Sequence, residues 1–466
     1  MAQSITPNLH QPQVFKDNRI FVSKKAWIFR ILSLLFLVTI AIFLVIKGIQ
    51  LQDPFIIHTV IASSYSIMVL GMAWFLYRVP AKKIKGNPLV SVIIPVYNQK
   101  KIISDVISAI SNSTYQNFEI IAVDDGSTDG TRIVLDELAK SNSKLVVIHK
   151  KNEGKRKTVS QGFMKSKGEI ILNIDSDSII HPKAIEELLK AFSSDSKIGA
   201  VVGNVRVLNG TKRLMPKIQD IWYDISFNLN KGVESIFGTV ICCSGCMAAY
   251  RRKAILQFIP YWSTSPLKTG DDRQLTSLVI AKPGAKIDLL SSFAQKRLQH
   301  ASSYDDAEDR ILTGQSLIEW KTKYVASAVA FTEVPSTLRQ FLKQQTRWKK
   351  GYLRGQFFCS TFFWRKHPIM AFMYYLEFMA TVTAPLVIFT VLIYEPLITK
   401  QYWFTIFFVV SQVLMGFIEG IDSKFRNPKM KNWKYKPLMN LFAIFILPWV
   451  IFPTLINFRK NNWGTR

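Results

Sequence analysis

Two aspartates separated by one serine, Asp175-Ser176-Asp177, follow the apolar stretch Glu169–Ile174. Carboxylates spaced this way at a strand end can share a hard cation, and Mg²⁺ or Mn²⁺ takes such oxygen ligands while bridging to phosphates. Alone, the pair also reads as a solvated acidic loop. Its weight comes from two further loops in the same register, Pro95-Val96-Tyr97-Asn98 and Asp124-Asp125-Gly126-Ser127, each ending an apolar run. Side chains there can accept hydrogen bonds from a nucleoside, although Asp-Gly and Asn are also ordinary turn formers. Lys155 and Arg156 supply cations that can neutralise a diphosphate. Gln344-Gln345-Thr346-Arg347-Trp348 adds a guanidinium fork for phosphate and a flat indole on which a sugar ring can stack. Trp and Arg also anchor helices at membrane interfaces.

These residues need elements to hold them. Leu89–Ile94, Phe118–Val123, Lys144–Ile148 and Glu169–Ile174 read as buried strands, separated by helical stretches at 101–111 and 131–141. Strands alternating with helices predict an α/β domain over 88–335. It would have a mostly parallel sheet, flanking helices, and ligands at the strand C-terminal ends.

The rest of the chain reads as membrane. Hydrophobic residues make up 48% of the 466 residues, and 60 Lys+Arg against 32 Asp+Glu give a formal charge of +28. Such charge suits nucleic acid, an anionic membrane face or polyphosphate ligands. Here the bases sit beside apolar runs and nucleic-acid-binding motifs are absent, so no nucleic-acid partner is expected. A polar segment (1–28) precedes two predicted transmembrane helices (29–78), with Lys24, Lys25 and Arg30 before them and Arg78, Lys82, Lys83 and Lys85 after. No cleavage pattern follows the first run, which reads as a retained span. Residues 336–366 predict amphipathic interface helices. Residues 369–458 predict further spans and one re-entrant segment broken at Pro448 and Pro453, leaving a basic tail at 459–466. The expected count is four spans plus that segment. The positive-inside rule puts the α/β domain, the Lys-rich 421–437 loop and the tail in the cytoplasm. Four cysteines, Cys242, Cys243, Cys246 and Cys359, are too few for a disulfide framework, and the lone CxxC lacks partners for zinc. They read as reduced thiols.

Over residues 88–358 and the final Trp463-Gly-Thr-Arg466, these motifs together resemble the family 2 inverting glycosyltransferases. The similarity is to the membrane-integrated processive branch of hyaluronan, chitin-oligosaccharide, chitin and cellulose synthases. Cys242-Cys-Ser-Gly245 followed by Tyr250-Arg-Arg252 looks like the acceptor segment of that branch, with Cys246 where Pro is usual. The resemblance implies a GT-A-like cytosolic domain at an inner (plasma) membrane, fused to a transmembrane bundle. A UDP-sugar would be the donor and a growing polysaccharide the acceptor. It implies donor contacts from Pro95, Tyr97, Asn98, Asp125, Lys155, Arg156, Asp175, Gln344, Arg347, Trp463 and Arg466. Cys243, Ser244, Gly245 and Trp348 would face the acceptor, and Asp177 with Asp175 would hold Mg²⁺ or Mn²⁺.

The family's base is the second acid of an acidic pair followed by Arg and Leu-Thr. Two stretches fit, Gly270-Asp-Asp-Arg-Gln-Leu-Thr276 and Ala307-Glu-Asp-Arg-Ile-Leu-Thr313. Asp309 lies 35 residues before Gln344, the family-like interval, whereas Asp272 lies 72 before it but at the more typical distance after Ser244. The more regular downstream spacing favours Asp309, with Asp272 the competing candidate. The expected chemistry is single-displacement polymerisation of UDP-GlcNAc, with or without UDP-GlcA, into an exported β-linked polysaccharide. A non-processive transferase on a lipid-linked acceptor and an inactive export channel are the alternatives.

Overall fold

A computed structural model of the chain describes residues 23–50, 56–80, 82–265, 269–282 and 319–458. Four strands, β1 (Val90–Val96), β2 (Phe118–Asp124), β3 (Leu145–His149) and β4 (Ile170–Asn173), lie in parallel in the order β3-β2-β1-β4. Every residue of β1 is buried, as an unbroken Val/Ile run in a sheet covered on both faces should be. The helix Ile103–Ser111 buries Ile103, Val106, Ile107 and Ile110, a helical-period stripe, and Thr131–Ser141 spans the stretch the sequence marks.

The sheet is mostly parallel, as expected, but beyond β4 it takes in two reversed strands. Strands β5 (Ser178–Ile180), β6 (Ile198–Val207), β7 (Ala248–Arg251) and β8 (Lys321–Thr332) complete the order β3-β2-β1-β4-β7-β6-β8-β5. β6 and β8 are parallel, but β7 runs antiparallel to both β4 and β6, and β5 runs antiparallel to β8. The sheet is therefore mixed. The chain re-enters at β7 from the edge where β4 leaves, so the loop before β7 abuts the loop after β4. Asn173 pairs with Ala248, and the Gly245 carbonyl accepts from the Asp175 backbone N–H (3.1 Å) and from Asn173 Nδ2 (3.0 Å).

Among the described residues, three helices are long and apolar enough to cross a membrane: Lys24–Gln50, Pro368–Thr399 and Tyr402–Arg426. Asn432–Phe445 and Pro448–Ile456 form a pair bent by 43°, either a broken span or a re-entrant loop. A fourth expected span contains the helix Ile56–Phe75, whose Val69, Leu70 and Trp74 pack with Ile221, Ile225 and Ile418. The stretch expected to form interface helices is one helix, Leu338–Ser360, started by the Thr337 hydroxyl accepting from the Gln340 N–H (3.4 Å).

A buried ionic chain ties the α/β domain to the spans. Asp422 accepts from Arg30 Nε and Arg426 Nε, each at 2.8 Å. Arg426 reaches Asp224 on the helix Leu214–Ile225 at 2.8 Å, and Ser423 donates to the same carboxylate at 2.7 Å. Burial alone would raise the Asp224 pKa, but Arg426 and Arg206 outweigh it and hold the group below the usual aspartate value.

Candidate functional site

The nucleotide edge is built from loops stitched to one another. Asn98 adopts a left-handed φ of 52°, its N–H donates to Ser127 Oγ (3.0 Å), and its Oδ1 accepts from the Thr128 N–H (2.8 Å). Tyr97 beside it is exposed, and Pro95 is the penultimate residue of β1. Asp124 accepts from the Ser127 N–H at 3.0 Å and meets His149 Nδ1 at 3.0 Å. Asp125 accepts from Lys150 Nζ and from the Glu153 and Gly154 N–H groups, each at 2.9 Å. Gly126 has φ +73°, and a Cβ there would lie 2.9 Å from the Asn152 nitrogen. Only glycine allows that approach.

Lys155 and Asp175, expected at the diphosphate, meet at the β4–β7 junction. Lys155 Nζ sits 2.5 Å from Asp175 Oδ1, and Cys246 Sγ is 3.8 Å from Asp175 Oδ2. Burial works against the charge on Lys155, but the Asp175 carboxylate outweighs it and raises the lysine pKa. Asp177 Oδ1 accepts from the Ser178 and Thr332 hydroxyls, each at 3.5 Å. Among the described residues no three His, Cys, Asp or Glu side chains converge to cage a metal. Two carboxylates one residue apart, without further His or Cys ligands, fit a hard divalent ion completed by water and phosphate rather than a closed zinc site.

Arg156, expected beside the diphosphate, is turned elsewhere. It is buried, donates to Asp271 from Nε (3.1 Å) and Nη2 (2.5 Å), and reaches the Trp262 and Ser265 carbonyls. Its four bonds hold the segment before the helix Asp271–Ile280, which begins with the acidic pair Asp271-Asp272. Asp272 Oδ1 accepts the Arg273 N–H (2.8 Å). The same helix reaches the acceptor loop: Thr276 Oγ1 donates to the Asp272 carbonyl (2.7 Å) and accepts from the Cys243 N–H (2.9 Å). Ser244 Oγ is buried without a partner, and Gly245 leaves no slack, since a Cβ there would lie 3.1 Å from Asp175 Oδ1. Burial pushes the Cys243 thiol up to about 12, so it stays neutral.

The Leu338–Ser360 helix closes the site. Gly270, at φ +76°, packs so tightly on Gly351 that a Cβ on Gly351 would lie 2.8 Å from the Gly270 Cα. The acidic pair is thereby locked to the helix that carries Gln344, Arg347 and Trp348. Gln344 Oε1 is buried without a partner. Trp348 is 39% exposed and lies beside Trp222 (ring centroids 6.1 Å apart) and Tyr223 (6.3 Å). Trp222, Tyr223, Thr276 and Gly351 are site residues that sequence reasoning missed. Asp309, Trp463 and Arg466 lie outside the described residues.

The profile of Glycosyl transferase family 2 matches residues 91–258. A hyaluronan synthase of Streptococcus pyogenes serotype M6 is 28% identical over 457 residues, covering 94% of this chain and 96% of that protein. An N-acetylglucosaminyltransferase of Mesorhizobium japonicum is 30% identical over 276 residues, covering 57% of this chain and 56% of that protein. Among solved structures, a mannosyltransferase from Pyrobaculum calidifontis in complex with GDP-Man and Mn²⁺ has a TM-score of 0.52 at 15% identity. It covers 92% of this chain and 100% of that one, a likeness of fold.

Proposed function

The chain is a family 2 glycosyltransferase, and from that premise we propose that it polymerises UDP-sugars into a β-linked polysaccharide of hyaluronan or chitin type and exports it across the membrane in which it is embedded. The observation that carries this reading is the junction of β4 with β7, where the Asp175 backbone N–H and the Asn173 side-chain amide on the donor side both donate to the Gly245 carbonyl of the acceptor-side loop. Relatives that match nearly the whole length, spans included, support a polymer-building enzyme over a soluble transferase.

In this reading Tyr97, Asn98 and Asp125 face the uridine, and Lys155, Gln344 and Arg347 face the diphosphate. Trp348 stacks on the acceptor terminus, with Cys243 and Ser244 lining the approach. Asp272 is the base: it removes the acceptor hydroxyl's proton as the oxygen attacks the anomeric carbon in line, which inverts an α-linked donor to a β-glycoside. Asp272 is preferred to Asp309 because its turn is locked to the Gln344–Trp348 helix through Gly270 and Gly351, and to the acceptor loop through Thr276. Arg156 acts on Asp271 as a positioning residue. Asp177 and Asp175 would hold a divalent cation, which supplies charge neutralisation for the departing UDP.

For export, a cavity of about 300 Å³ lies beside Lys349, the residue after Trp348, and is also lined by Tyr65, Glu377 and Thr381 of the helical bundle. The basic flanks of the spans support a cytoplasmic catalytic domain.

The test is purified full-length protein with UDP-GlcNAc and UDP-GlcA, singly and paired, with and without EDTA. Products are sized on a gel and digested with hyaluronidase or chitinase. A metal-dependent ladder of long product cut by one of these enzymes is expected. A single-sugar product would remove the polymerase reading.

A further inference from the structure

We propose that the Tyr223 hydroxyl is a substrate contact, donating a hydrogen bond to the diphosphate of the nucleotide-sugar where donor and acceptor meet. The inference rests on the donor-site reading above and adds a residue outside its motifs.

Tyr223 stands near the end of the helix Leu214–Ile225, one turn before Phe227. Its ring stacks on Phe227 (centroids 6.1 Å apart, planes at 26°) and lies 6.3 Å from Trp348. Two aromatic neighbours fix the ring and therefore the direction of the hydroxyl. The helix then changes to i→i+5 bonding over Ser226–Lys231, a local widening that recurs at functional sites. The hydroxyl makes no hydrogen bond among the described residues. After burial, the groups that act on it are Cys246, Asp177 and Arg347. One comes from the loop before β7, one from the cation-binding pair and one from the Gln344–Trp348 helix. These three surround the junction of donor and acceptor, and the ring contact with Trp348 places the phenol beside it.

Its chemistry selects its role. A tyrosine phenol is a neutral hydrogen-bond donor at physiological pH. It adds no charge beside Asp177. A phosphate oxygen held between Arg347 and a cation on Asp177 would be its complementary acceptor, and hydrogen bonds to charged groups are among the stronger ones.

The substitution Tyr223→Phe keeps the ring and its stacking and removes only the hydroxyl. With full-length protein in detergent and Mn²⁺, calorimetry with UDP should give binding on the order of ten-fold weaker. The kcat should fall by a similar factor, with the unfolding temperature unchanged. Tyr223→Leu, which also loses the ring, is the packing control and should lower the unfolding temperature. UDP affinity and kcat equal to the unsubstituted protein in Tyr223→Phe would overturn the inference. Asp177→Asn separates the two readings. If the unsubstituted protein fails to bind UDP with Mn²⁺, or Asp177→Asn leaves binding intact, the donor-site reading falls and this inference with it. If both behave as expected and Tyr223→Phe is silent, this inference alone falls.

Discussion

The two halves of the sheet hold their loops by different means. On the β3-β2-β1 side, loops bind loops of adjacent strands: Asn98 to Ser127 and Thr128, Asp125 to the 150–154 turn. On the β7-β6-β8 side, the pieces are held from far along the chain. Arg156 grips Asp271, Thr276 grips Cys243, Gly270 is wedged on Gly351, and Asp224 is clamped by Arg426. The donor edge is a set of local turns on a rigid parallel frame. The acceptor side is a linkage whose members depend on one another. Damage to the first should appear as lost nucleotide binding, and damage to the second as lost transfer or lost stability with nucleotide binding kept.

The largest expected effect is at the base. Asp272→Asn should cut transfer roughly 10³-fold while UDP affinity measured by calorimetry stays unchanged, and Asp309→Asn should leave both near the starting values. The opposite ranking would move the base into the 283–318 stretch and break the linkage picture at its centre.

Next comes the clamp. Asp224→Asn leaves Arg426 buried with one anionic partner fewer, a change that costs about 3–5 kcal/mol when a buried pair is broken. The check is thermal unfolding in detergent. The folded pKa of Asp224 is lowered, so its contribution is fully present above the ordinary aspartate value and is lost only as pH falls through the lowered one. The stability difference between Asp224→Asn and the unsubstituted protein should therefore be constant from neutral pH down to about pH 5 and shrink only in stronger acid.

The smallest effect sharpens the contrast. Gly126→Ala and Gly351→Ala each press a methyl onto backbone, at 2.9 Å and 2.8 Å. Each should destabilise by about 1–3 kcal/mol, but the first should weaken UDP binding and the second should lower kcat with UDP binding intact. Equal loss of UDP binding in both would mean that the two halves are not mechanically distinct.

The placement of the loops proposed to hold the donor was legible in sequence because each is a contiguous motif at the end of an apolar run. Tyr97-Asn98, Asp124-Asp125 and Asp175–Asp177 could be read off and aligned by strand position alone. The linkage was not legible, because its pairs lie far apart: Arg156 looks like a phosphate ligand until Asp271, 115 residues later, is seen beside it. Spacing favoured Asp309 over Asp272, because a count of residues does not see the Gly270–Gly351 contact that fixes the first acidic pair. The antiparallel entry of β7 was missed for a simpler reason. A four-residue apolar run carries no signal of its direction. Trp222 and Tyr223 sat in an amphipathic helix whose aromatic pair could equally have been core.

The reversed strand β7 also bears on how such an enzyme can diversify. Among the described residues between Val207 and Lys321, the chain returns to the sheet as β7 and through the single bridge of Thr239 to Thr322. Everything that would touch the acceptor, apart from the Leu338–Ser360 helix, falls within that stretch. β7 joins that stretch to the parallel strands through four pairings with β4 and three with β6. On the proposed assignment, changes within that stretch would alter the acceptor side without touching the loops after β1 and β2.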